Sequence, residues 1–180
     1  MVRVSKAVLT FSLGIFALLV GIDNIIDYET NFAFVQHVLS MDTTFPGNKL
    51  HWRAIESDWV HHAAYGVIIA SEIAVGLLCA AGAWRILAAC RLPAQEFNGA
   101  KALAIGGLVA GFALYFFGFL VVGGEWFQMW QSQTWNGQEA AFRFATSFGL
   151  ALIFVAMEDG DRGHEGHRRH QGAARSGDGG

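Results

Sequence analysis

The chain has 180 residues, of which 53% are apolar and only 15% charged, with a formal net charge of -3 and a mean hydropathy of +0.36. The length would suit one soluble domain, but the apolar excess and the confinement of charge to short stretches exclude an ordinary water-soluble fold. The near-neutral balance supplies no basic surface for nucleic acid, and two cysteines, Cys79 and Cys90, cannot build a disulfide framework and are read as reduced packing residues.

Arg3 and Lys6 precede an uncharged run over residues 7–22. A basic start and an apolar centre are also the marks of a secretory signal peptide. Val20-Gly21-Ile22-Asp23 is a poor cleavage site, however, and Asn24-Ile25-Ile26 carries the apolar pattern on, so the expectation is a retained helix over about residues 7–26. Residues 27–59 are mixed and aromatic, with a turn signal at Phe45-Pro46-Gly47-Asn48. Phe32, Phe34, Val35, Val38 and Leu39 suggest a short interfacial helix inside this structured loop.

A second apolar segment, about residues 60–84, carries a single charge, Glu72, at its midpoint. Arg85, Arg91, Pro93 and Lys101 mark a short polar turn before the uncharged run 102–124, whose 23 residues would make roughly 34 Å of helix, enough to cross a hydrocarbon core of about 30 Å. A loop rich in Trp and Gln follows, and a shorter apolar stretch, about 140–157, begins beside Arg143. The expected fold is all-α: an integral membrane four-helix bundle of two tandem helical hairpins with structured aromatic outer loops. Residues 158–180, rich in Gly, Arg, Asp and His, read as a disordered cytoplasmic tail.

Basic residues set the orientation. Nine lie at the termini and the middle turn, and Lys49, Arg53 and Arg143 lie opposite. Both termini are therefore expected in the cytoplasm, with Trp52, Trp59, Trp126, Trp130 and Trp135 in an outer headgroup belt.

An internal repeat is also read: Val20-Gly21-Ile22-Asp23 aligns with Val122-Gly123-Gly124-Glu125, and the stretch from Thr44 to Arg53 with that from Thr134 to Arg143. Parallel duplication of a hairpin and coincidence between two interfacial segments both fit. The alignment proposes a clasp at the outer helix ends in which Asp23 and Glu125 meet Arg53 and Arg143. Trp126, Trp130, Trp135 and Asn136 are the candidate surface for a partner.

Glu72 is the sharper functional candidate. A carboxyl deep in a bilayer must be protonated, paired or facing a wet cavity, and such residues mark ion or ligand paths. Its helical face includes His61, Tyr65, Ile68, Gly76 and Cys79, and Tyr115 is placed to donate to it from the third helix. A neutral Glu bonded between helices explains the position equally well. Gly107 and Gly111, spaced for close helix approach, fit packing within the bundle or a homodimer face. His37, His51, His61 and His62 near the first loop lack the two-helix spacing of a bis-His haem, and no metal motif, catalytic residue or phosphate loop is found, so neither enzyme activity nor a cofactor is expected.

Four stretches, DNIIDYETNFAFVQHVLSMDTTFPGN, the HWRAI after it, FNGAK and GGEWFQMWQSQTWNGQEAAFR, together resemble the bacterial predicted small integral membrane protein family, domain of unknown function 2165. The resemblance extends to about Met157 and implies a multi-pass protein of the bacterial inner membrane with no activity to carry over. Three readings remain: a non-catalytic accessory or scaffold subunit docking a membrane complex or periplasmic protein, a small transporter or proton- or ion-conducting protein using Glu72, and a redox anchor holding haem or quinone.

Overall fold

The computed structural model describes residues 1–161. Its elements are α1 (Val2–Ile26), α2 (Tyr28–Ser40), α3 (Asp58–Ala89), α4 (Ala94–Ala100), α5 (Ala102–Ala113), a π-helix (Leu114–Trp126) that continues α5, and α6 (Gln138–Ala156). The described residues contain no strand. Four stretches, α1, α3, α4 through the π-helix, and α6, are long and apolar enough to cross a membrane. This is the expected all-α membrane bundle.

The hairpins are α1–α3 and α5–α6, joined side by side through α3 and α5. Small residues set the close crossing of α1 and α3. A Cβ added to Gly76 of α3 would stand 3.0 Å from the Gly14 carbonyl oxygen of α1 and 2.5 Å from Leu18 Cγ, so a larger residue would force the helices apart. Gly107 faces Cys79 of α3 while Gly111 faces the Phe148 ring of α6. The four-residue spacing therefore serves two neighbours inside the bundle rather than one external dimer face. Large apolar side chains on the outside, among them Val8, Phe11, Ile15, Val67 and Leu150, are exposed, as lipid-facing positions require.

Several boundaries move from their sequence positions. The first helix begins at Val2 rather than near residue 7 because Arg3 and Lys6 are not free loop charges but buried ligands of the chain's other end. Lys6 Nζ donates to Asp159 Oδ2 at 2.5 Å and to Met157 O at 2.6 Å. Lys101 Nζ reaches the same two acceptors at 3.0 and 2.8 Å. Arg3 donates to Leu92 O and Gly160 O, its guanidinium 4.4 Å over the Phe97 ring. Residues 158–161 are thus tied down rather than part of a tail, because Asp159 is the counter-charge of two buried ammonium groups. The remainder of the expected tail, 162–180, lies outside the described residues.

At the opposite end, the loop end, the two long connections build one cap. Thr43 Oγ1 donates to Ser132 Oγ at 2.9 Å, and Gln131 Oε1 accepts from Phe45 N at 3.0 Å and from Asn48 Nδ2 at 3.2 Å. Val38, Met41, Phe127 and Met129 form an apolar cluster beneath these bonds. The interfacial helix expected around Phe32 is α2, packed through Phe32 and Val35 on Tyr65 of α3. The aligned glycines of the two loops differ in backbone: Gly47 has φ 79° in an open turn, whereas Gly137 has φ -92° at the start of α6.

Candidate functional site

Glu72 is 2% exposed and lines a cavity of about 210 Å³ in the loop-end half of the bundle. Its depth follows from register. Gly21 of α1 lies against it, since a Cβ there would be 3.2 Å from Glu72 Cβ. Gly21 is five residues from the end of α1 at Ile26, about 8 Å along a helix. The carboxyl therefore lies toward the loop end of α1 but near the middle of α3, which projects past α1 to pack on α2.

Three elements supply polar groups. Asn24 Nδ2 of α1 donates to Glu72 Oε2 at 2.7 Å, and Asn31 Nδ2 of α2 donates to Asn24 Oδ1, also at 2.7 Å. Tyr65 of α3 donates to the Asn24 backbone oxygen at 3.1 Å. This chain fixes the amide of Asn24 with its NH₂ toward the carboxyl. Among the described residues no basic side chain forms an ion pair with Glu72.

Tyr115, from the π-helix, lines the same cavity as Glu72, as the sequence face suggested. The expected hydrogen bond between them is not formed: the Tyr115 hydroxyl is buried and has no partner. The π-helix places its ring between Phe119 and Phe144, with centroids 5.8 and 5.1 Å away. Phe34, Tyr65, Tyr115, Phe119 and Phe144 give the cavity five aromatic walls. Asn24 and Asn31 were not singled out in the sequence, because they lie on different helices and only the break at Asp27 between α1 and α2 brings them together.

The proposed charge clasp does not form. Arg143 pairs with Glu139 one turn earlier on α6, at 2.8 Å and exposed. Arg53 lies 4.4 Å over the Trp126 ring and donates to Trp126 O at 3.3 Å. Asp23 and Glu125 are both exposed and enter no ion pair among the described residues. The alignment matched positions along the sequence but not their rotation about the helix axes.

The candidate partner loop divides in two. Trp135 is occupied internally, stacked on His37 at 4.6 Å. Trp126 and Trp130 stay 47% and 44% exposed, edge-on to Trp52 and Phe45 respectively. Asn136 is exposed and accepts from Gln138 N through its side chain.

Among known families, the model described as predicted small integral membrane protein (domain of unknown function 2165) matches residues 2–158. No curated protein and no solved structure matches the chain.

Proposed function

Since the chain belongs to this family of small integral membrane proteins, whose description assigns no activity, we propose that it is a non-catalytic membrane protein that binds a small organic cation at Glu72. The observation that carries this reading is a buried carboxyl without a basic partner, set in a cavity with five aromatic walls. Ring faces attract ammonium groups, by about 2 kcal/mol or more where water is excluded, and an intramembrane carboxylate is the natural counter-charge for such a ligand. This narrows the transporter reading of the sequence to a substrate class. Continuous proton or ion conduction is less favoured, because Val75, Cys79, Leu108 and Phe148 fill the bundle core below Glu72 with apolar side chains.

The test is equilibrium dialysis of radiolabelled tetramethylammonium against the protein in lipid nanodiscs. Saturable binding that disappears in a folded Glu72→Gln variant supports the reading. Binding that survives the substitution, or no saturable binding to the wild type, refutes it.

A second reading, the accessory subunit, is favoured by the exposed rim of Phe45, Trp52, Trp126 and Trp130 on the joined loops, since aromatic side chains are enriched at protein interfaces. Mass spectrometry of what copurifies in mild detergent at native expression level tests it: a stoichiometric membrane or periplasmic protein supports this reading, and a clean homo-oligomer counts against it. In either role we place the chain in the bacterial inner membrane with both termini in the cytoplasm, from the concentration of Arg3, Lys6, Arg85, Arg91 and Lys101 at one end of the bundle. Reporter fusions at each terminus check that placement.

A further inference from the structure

Beside the Glu72 cavity lies a second recess of about 330 Å³, bounded by α2, α3 and the π-helix. None of its lining residues has a polar side chain. It exists because the π-helix packs mainly on α6 and scarcely touches α3, leaving a slot that α2 roofs. Val67 and Phe117 on its lining are 66% and 61% exposed, so it opens on the flank of the bundle that faces lipid. Phe34, Val35, Ile68 and Phe119 line both this slot and the Glu72 cavity. The two spaces are therefore neighbours with four lining residues in common, whose side chains reorient far more readily than backbone.

The Glu72 cavity has its own opening toward the loop end, where Asn31 on its lining is exposed, while the packed core closes it from below. The slot is the apolar approach, and a molecule lodged there with its charged end at Glu72 satisfies both halves of the site.

We propose that the ligand is an amphiphilic cation with one alkyl chain, which enters sideways from the bilayer and leaves its chain in the slot. This rests on the cation reading of Glu72 and adds the chain and the route. Its charge is matched by Glu72, its head by the aromatic walls, and its chain by a recess without polar side chains.

The test uses the full chain in nanodiscs with tritiated decyltrimethylammonium, read by scintillation proximity and displaced with unlabelled tetramethylammonium. Gly118 lines the slot, and a Cβ there meets nothing nearer than Leu114 Cδ1 at 3.9 Å, so Gly118→Leu fills the slot without distorting the helix. This variant is expected to weaken decyltrimethylammonium binding about tenfold, the equivalent of about two lost methylene contacts, and to leave tetramethylammonium binding unchanged. Val67→Trp, at an exposed position on the slot that no packing opposes, is expected to give a loss in the same direction. Wild-type affinity for decyltrimethylammonium in both slot variants overturns the chain and the route while leaving the Glu72 site standing. Binding of both cations insensitive to Glu72→Gln overturns this inference and the cation reading together.

Discussion

Replacing Asp159 by Asn should be the most damaging single change available at the terminal end of the bundle. Lys6, Lys101 and Asp159 have side chains only 2%, 3% and 7% exposed, and the one carboxylate is the counter-charge of both ammonium groups. Removing one partner of a buried ion pair destabilises by about 3–5 kcal/mol, because the surviving charge stays desolvated. Here two charges survive, but each keeps its hydrogen bond to Met157 O, at 2.6 and 2.8 Å. The expected loss is therefore near the lower end, about 3 kcal/mol. Reversible unfolding in a bicelle system measures it, and the double variant Asp159→Asn with Lys6→Met should recover part of the loss by removing one orphaned ammonium. A loss under about 1 kcal/mol, the range of exposed pairs, would show that water reaches the three groups and that residues 158–161 are not the lock described here.

The same cluster sets a pH dependence: burial pushes the Asp159 carboxyl up, but hydrogen bonds and charge from Lys6 and Lys101 outweigh it and hold the carboxyl below its usual 3.8. A carboxyl depressed in the folded state stabilises above its unfolded value, so thermal stability should hold down to pH 3.8, fall as pH drops further, and lose this component in Asp159→Asn. Arg143→Glu should change stability by no more than about 0.5 kcal/mol, since it breaks one exposed pair a helical turn apart; rescue by reversing Glu139 rather than Glu125 distinguishes this from the clasp. Gly82→Ala would set a Cβ 2.5 Å from the Ala104 Cα and nitrogen, and because backbone cannot swing aside the variant should unfold about 1–3 kcal/mol more easily. Tyr115→Phe removes a buried hydroxyl that has no partner, so ligand-free protein should be as stable as wild type or more so, by the same unfolding assay.

The spans were legible because uncharged runs of membrane length have few other uses, and Glu72 stood out because a carboxyl in such a run has no bland surroundings. The interfacial helix was visible in the spacing from Phe32 to Leu39. Other features were hidden for identifiable reasons. A π-helix and an α-helix draw on the same apolar residues, so nothing in residues 114–126 marked the change of hydrogen bonding that opens the slot. Arg3, Lys6 and Lys101 looked like solvated charges flanking helices, and only a partner at Asp159, far away in sequence, makes them internal. The clasp failed where a nearer partner was already present: Glu139, four residues before Arg143, was the better match on spacing alone.

The bond between Lys6 and Asp159 joins residues 153 positions apart, and this fixes an order of events during synthesis. α1 is made before α6 and carries the buried Lys6, yet the counter-charge of that lysine is translated only after α6. Until then Lys6 has neither Asp159 nor the Met157 carbonyl to bond, and Arg3 lacks the Gly160 carbonyl. Closure thus requires all four spans to be in place: a chain stopped before Asp159 would hold these four helices and still carry Lys6 and Lys101 without their counter-charge.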